Sequence, residues 1–286
     1  LEEQFNRPFF HAVPMTRLFR SEKDQTVWKK RKEDAEYQPY LGDQLPSNQH
    51  KTVQDPHGSF QQLQTGYVDT VTLLDTMTQY LVDNGSYIKA QLDYKKIVVE
   101  ENNVQININD DGYTAKKLIF CEGYKATENP WFSWLPFKPA KGEILTLQAS
   151  SELPHEIINA GKWLLPLQDG QFKLGSTYQW EPLDEQATDT AKDELLGFLN
   201  DLFKQQTPVE VLSHQAGVRP CTRDTAPFVG IHPEQPRLGI FNGFGSKGSL
   251  MIPYHAEQFA DHLLDPLLGN ESIMPEADIR RYWQKT

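Results

Sequence analysis

The chain has 286 residues, 38% of them hydrophobic and 23% charged, with 28 Lys and Arg against 39 Asp and Glu and a net charge of −11. That length suits two modest domains or one large one. The acidic balance argues against nucleic acid and anionic membrane as main partners. No apolar run reaches the roughly 18–20 residues of a membrane-spanning helix. Cys121 and Cys221 are the only cysteines and form neither a disulfide framework nor a metal site. Read as free thiols, they point to a reducing compartment, the cytoplasm. The chain opens LEEQFNRPFF, with neither Met nor a signal peptide, and reads as one from which something in front has been removed.

In chain order, residues 9–20 have β-like apolar content broken by Pro14. Residues 21–36 are polar and helix-compatible, with Ser21 as cap and Trp28 as the one buried anchor. Residues 37–56 read as a loop and 58–65 as a weakly alternating strand. A helix is predicted over 67–85, capped by Asp69, buried through Leu73, Leu74, Met77, Tyr80 and Leu81, and stopped at Asn84-Gly85. Next comes a three-stranded meander: residues 94–100, then 104–109, then KLIFC at 117–121 after a turn at Asp111-Gly112. KLIFC is apolar throughout and runs into Glu122-Gly123, as a buried strand ending at a ligand would.

NPWFSWLPF (129–137) reads as a packed crossover between domains or as an aromatic ligand cage. Residues 138–149 form a strand, and 161–180 a hairpin turned at Asp169-Gly170. An amphipathic helix over 187–205 is buried through Ala191, Leu195, Phe198, Leu199 and Leu202, and a strand over 209–218 leads into Arg219-Pro220. The stretch 238–264 combines a short strand (LGIFN), a glycine turn (GFGSKG) and a helix buried through Ala256, Phe259, Ala260, Leu263 and Leu264. Long strands with separated helices indicate an α+β fold, with the meander and C-terminal helix in one lobe and the long strands in another.

Gly243, Gly245 and Gly248 stand in a GxGxxG spacing. A dinucleotide fingerprint needs a second strand ending in an acidic residue about 20 residues on, and DPLLGNESIMPEADIRRYWQKT contains no such strand. Two readings remain: a turn for close strand–helix packing, or a helix start whose free N–H groups face a polar ring or anion.

KLIFCEGY (117–124), GVRPCTRDTAPFVGIHP (217–233) and FNGFGSKGSLMIPYHAEQFADHLL (241–264) occur in this order, with KPAKGEILTL at 138–147. Together they resemble the FAD-dependent D-amino-acid oxidase superfamily, within its glycine oxidase and sarcosine oxidase-like branch, over residues 66–264. The resemblance implies an α/β-derived α+β fold. Its FAD-binding lobe would comprise 66–130 and 217–286, and a substrate lobe with a mixed or antiparallel sheet would comprise 1–65 and 131–216. Family members open with a strand and GxGxxG turn for the FAD pyrophosphate. Residues 1–65 look like the part of the family chain beyond that turn, so the chain is expected to lack this front and to carry an incomplete FAD-binding lobe.

The resemblance further implies oxidation of the C–N bond of a small amino acid or secondary amine, with hydride passing to FAD and an imine released. Arg219 matches the family's carboxylate-binding arginine, a role that suits a forked guanidinium; the competing reading is a buried ion-pair partner, such as of Asp224. Lys247 and the N-terminus of the last helix would stabilise negative charge on the reduced ring, or Lys247 is a solvated turn lysine. Tyr178 faces the ring or is a plain sheet tyrosine. The expected cofactor contacts are Cys121, Glu122, Gly123, Gly243, Phe244, Gly245, Ser246, Lys247 and Gly248, with Tyr94 near the adenine. Glu122 stands where the family has a small residue, and Cys221 is offset from the position of a covalent flavin link. The SKG turn is reminiscent of a branch acting on a modified tRNA base, which the net charge argues against. The second reading is a flavin-free binding module that keeps the fold.

Overall fold

The computed structural model describes residues 1–150, 153–264 and 273–283. Its helices are α1 (Glu2–Phe5), α2 (Glu22–Lys32), α3 (Thr70–Asp83), α4 (Asp189–Leu202) and α5 (Gly248–Leu264). The first strands are β1 (Phe10–Ala12), β2 (Met15–Leu18), β3 (Leu41–Leu45), β4 (Ser59–Gln62) and β5 (Gly66–Val68). Next come β6 (Ile97–Val99), β7 (Val104–Ile108), β8 (Asp111–Ala115), β9 (Leu118–Phe120) and β10 (Ala140–Ala149). The last are β11 (Ile157–Asn159), β12 (Trp163–Pro166), β13 (Gln171–Gly175), β14 (Val209–Arg219), β15 (Phe228–Ile231) and β16 (Leu238–Asn242). The chain divides into two compact units, one of Leu1–Thr76 and Lys141–Gly217, the other of Met77–Ala140 and Val218–Thr286.

The first unit is built on an eight-stranded sheet in the order β14-β10-β13-β12-β11-β2-β4-β3. β2 and β11 run parallel, while β10–β13, β12–β13 and β2–β4 are antiparallel. The long apolar run of β10 buries Leu145 and Leu147 against Phe172, Leu174 and Leu164, and α4 closes over them with Leu195, Leu199 and Leu202. Thr188 caps α4 by accepting from the Ala191 N–H (3.3 Å).

A buried carboxylate ties that cap to the sheet. Glu143 on β10 is fully buried and accepts from the Thr188 N–H (2.8 Å) and Oγ1 (2.9 Å). Lys141 Nζ lies 3.6 Å from Glu143 Oε1 and 2.6 Å from Asp184 Oδ1. His214 Nε2 on β14 comes within 2.8 Å of Glu143 Oε2, at ion-pair distance but outside hydrogen-bonding geometry. Buried charge persists in a fold only when it is paired in this way.

In the second unit β15-β16-β9 form one three-stranded sheet and β6-β7-β8 another. Their shared core is Ile97, Val104, Ile106, Phe120, Phe132, Phe228, Leu238 and Ile240. The expected meander is corrected here. Its third strand is DGYTA (β8), and KLIFC belongs to the other sheet as β9. Asn109 and Asp110 both have positive φ (52° and 70°) and make the two-residue hairpin turn. The sequence places that turn at the Asp111-Gly112 pair because the exposed strand β8 has no apolar alternation to mark it.

Three other expectations are corrected. Residues 37–56 contain the edge strand β3. The predicted stripe of α3 is not buried: Leu74 is 64% exposed, Tyr80 and Leu81 are exposed, and Thr76 is the only buried residue of that helix. Periodicity identifies an apolar face but not whether anything packs on it. On α5 the buried residues are His255 and Phe259, while Ala260 and Leu264 are exposed.

A half-buried carboxylate in the first unit gives a pH-dependent contribution. Glu156 accepts from Thr16 Oγ1 and meets His50 Nε2 at 3.2 Å. Its pKa is held below the usual 4.5, first by the His50 hydrogen bond, against the opposing effect of burial, with Thr16 and the His50 charge adding to the lowering. A lowered carboxylate pKa stabilises the fold above its unfolded value and loses that stabilisation as pH falls through the folded value. Glu156→Gln is therefore expected to be less stable than the parent at neutral pH, with the gap closing below the usual 4.5. Urea titrations across that range, showing a pH-independent gap, would contradict this.

Candidate active site

The site begins with strand direction. β9 and β16 pair in parallel, Leu118 with Leu238 and Phe120 with Ile240, so both carboxyl ends emerge on one edge of the sheet. Ligands of open sheets collect at such edges. Past β9 the chain runs Cys121, Glu122, Gly123; past β16 it runs Gly243 to Gly248.

Asn242 joins the two ends. It is buried, its Nδ2 donates to the Gly123 carbonyl (2.8 Å), and its Oδ1 accepts from the Gly243 N–H (2.8 Å). Gly123 has φ 61°, and the space where a Cβ would stand is open to 4 Å. Gly243 is the opposite case. At φ 82° a Cβ there would lie 2.7 Å from Thr222 Cγ2 and 3.2 Å from the Phe228 nitrogen. The glycine turn thus sits directly on the Arg-Pro segment, and the Gly245 N–H donates to the Pro220 carbonyl (3.2 Å). Three segments distant in sequence therefore meet at one edge, with Arg219 one residue from Pro220.

Glu122 has a structural explanation that the sequence did not offer. Its carboxylate accepts from Tyr94 Oη (2.6 Å) and from Asn129 Nδ2 (2.8 Å). Asn129 Oδ1 in turn accepts from the Trp131 and Phe132 N–H groups (2.9 and 3.2 Å). The Tyr94 ring stands edge-on to Phe120 and Trp131. Burial, then the Glu122 hydrogen bond and charge, push its phenol well above the usual range, so it remains a donor. Cys121 is exposed at the strand end, its thiol pushed up by the protein around it and by Glu122.

Phe244 is buried beneath the turn against Phe241 and Phe259, which anchors the turn from below. Ser246 and Lys247 are exposed above it. They precede α5, whose first-turn N–H groups have no partners within the helix and carry its positive dipole end. Asp224 is engaged by Arg281 Nε (3.1 Å) and Tyr282 Oη (2.7 Å).

Tyr178 lies in the first unit, half-exposed beside Trp180. The other predicted residues all belong to the second unit. NPWFSWLPF supplies core: Phe132 and Trp134 pack around His232, and Phe137 around Phe228. Sequence reasoning missed Asn242 and Asn129; for the latter, the Asn-Pro turn signal was available.

An open-faced glycine, a glycine turn at a helix start and a nearby arginine suit the polar edge of a planar ring beside an anionic group. Among the described residues no cluster of three or more His, Cys, Asp or Glu could hold a metal ion, and no helix is long and apolar enough to cross a membrane.

Comparison with known proteins bears on the family and the fold. Residues 1–262 match the family described as DAO, FAD dependent oxidoreductase. A glycine oxidase of Pseudomonas aeruginosa is 27% identical over 144 residues, covering 50% of this chain and 38% of that protein. A tRNA 5-methylaminomethyl-2-thiouridine biosynthesis bifunctional protein of Marinobacter nauticus is 29% identical over 163 residues, covering 52% of this chain and 26% of that protein. The chain thus spans well under half the length of these two relatives. The crystal structure of glycine oxidase from Geobacillus kaustophilus superposes with a TM-score of 0.77 at 18% identity, covering 91% of this chain and 73% of that one. That likeness establishes the fold.

Adding a Cβ at residue 243 tests the meeting of the turn with the Arg-Pro segment. Gly243→Ala is expected to lose about 1–3 kcal/mol of stability, from left-handed backbone strain and overpacking against Thr222. A chemical denaturation midpoint equal to the parent's would show that the two segments are not in contact.

Proposed function

Because the chain belongs to the FAD-dependent oxidoreductase family, we propose that it oxidises the C–N bond of a small amino acid or secondary amine to an imine. The observation that carries this reading is the convergence of Gly123, the Arg219-Pro220 segment and the glycine turn, tied by Asn242 and by the Gly245 N–H. The names of relatives, among them glycine oxidase and iminodiacetate oxidase, support the substrate class.

FAD, when bound, supplies the two-electron acceptor for such a reaction. In this reading the second unit holds the cofactor and the first serves the substrate. The open face of Gly123 and the backbone of Ser246 and Gly248 would hold the ring's polar edge, with Gly245, its N–H bonded to Pro220, setting the turn beside them. The start of α5, with Lys247, would favour negative charge there. Arg219 would bind the substrate carboxylate through its forked guanidinium and so fix which C–H bond points at the acceptor.

The test is the visible absorption spectrum of the purified chain with added FAD, followed by turnover of small amino acids and N-methyl amino acids. Bound oxidised-flavin bands and imine formation are expected. Arg219→Ala should keep the bands and lose about 2–5 kcal/mol of transition-state binding, roughly 30-fold or more in kcat/KM, for carboxylated amines. A chain that stays colourless in excess FAD would be either an oxidoreductase whose cofactor needs more than these residues or the flavin-free module, and FAD binding by a longer chain that includes them would decide which. Unchanged turnover in Arg219→Ala would remove the arginine from the reaction.

A further inference from the structure

Helix α2 is polar on nearly every side and packs through Trp28, whose indole meets Phe19 and Phe60 at centroid distances of 6.2 and 5.9 Å. Gln25 and Lys32 add hydrogen bonds to the His57, Leu41 and Gly42 carbonyls, and a gap is left beside the indole. Here the gap is a cavity of about 320 Å³ between α2 and the edge of the first unit's sheet, within the size range of small-molecule sites.

Its lining combines flat aromatic surface with two arginines, Arg17 and Arg31, and one acid, Asp24. Arg17 reaches it from β2, its guanidinium 5.9 Å from the Phe60 ring centre, with Nη1 donating to Gln62 Oε1 at 3.3 Å. Arg31 reaches it from the last turn of α2, 5.2 Å from the Tyr37 ring centre. Among the described residues neither guanidinium is ion-paired. Asp24, the acid on this wall, is engaged by the Arg20 N–H and Nε, each at 3.1 Å. Burial, then the Arg31 and Arg20 charges, lower the Arg17 pKa, and the Asp24 charge opposes them.

We propose that this cavity binds a small aromatic carboxylate, its ring against Trp28 and Phe60 and its anionic group held by Arg17 and Arg31. Two planar guanidiniums match the fork of a carboxylate, and the aromatic wall selects a flat apolar body. The site lies wholly in the first unit and uses none of the residues assigned to amine oxidation, so it stands independently of that reading.

Isothermal titration of the full chain with benzoate tests it. One saturable site is expected, with Arg17→Gln and Arg31→Gln each weakening binding by roughly tenfold or more, as should replacing benzoate by neutral benzamide. Arg219→Ala should leave this affinity within about twofold, the two places being independent. Val27→Trp fills the cavity without changing charge, and its loss of benzoate binding guards against an arginine variant that fails to fold. Binding that survives both Arg31→Gln and Val27→Trp, binding abolished by Arg219→Ala, or no saturable binding of benzoate would each overturn the proposal.

Discussion

The candidate active site depends on the parallel pairing of β9 with β16. An antiparallel partner would send one chain end away, whereas parallel strands deliver two carboxyl ends, and the two loops beyond them, to the same edge. Asn242 makes that edge rigid, because both atoms of its buried amide are spent on the two loops. Replacing it with an apolar residue would strand the Gly123 carbonyl and the Gly243 N–H together, at roughly 1–3 kcal/mol for each buried group left unpaired. The glycines then have separate reasons. Gly243 is required by contact with Thr222, and Gly123 keeps an open backbone face where nothing else in the described chain approaches.

Two carboxylates illustrate how this protein uses negative charge away from chemistry. Glu143 binds the start of α4 to the large sheet, and Glu122 binds Tyr94 to Asn129. Each is surrounded by donors, so each acts as a fixed acceptor that organises its neighbours. Glu122 stands where the family resemblance led us to expect a small residue, and it is accommodated locally, since the phenol and the amide that donate to it belong to Tyr94 and Asn129 beside the same core. An acid beside a candidate site is therefore not, on that ground, a general base.

What the sequence made legible was whatever had a local signature. The α4 face, the Asp169-Gly170 hairpin and the Ser21 cap are consequences of periodicity, turn chemistry and capping. The convergence of KLIFCEGY, the Arg-Pro segment and the glycine turn was legible only through family resemblance, since no local rule brings residues 123, 220 and 245 together. Partners were the least legible. β8 has no apolar pattern yet completes a sheet, α3 has a clear pattern and little to cover it, and Asn242 ends an apolar run in which nothing marks it as a bridge. Periodicity reports the faces an element can bury, and tertiary contact decides which of them it does.

The same distinction limits inference from net charge. A total of −11 argues against anionic partners only if the charge is spread evenly. Lys29, Lys30, Arg31 and Lys32 close α2, where positive charge is favoured by the helix dipole, and Arg17 lines the cavity from β2. Screening confines each charge's influence to about 8–10 Å at ordinary ionic strength, so these cations act locally whatever the chain's total, alongside Glu22 and Asp24 in the helix's first turn. Lys32 is turned inward to the Leu41 and Gly42 carbonyls, and Arg20 is neutralised by Asp24. Among the described residues lining the cavity, Arg17 and Arg31 are the cations outside any ion pair, a local pair that chain-wide charge counting hides.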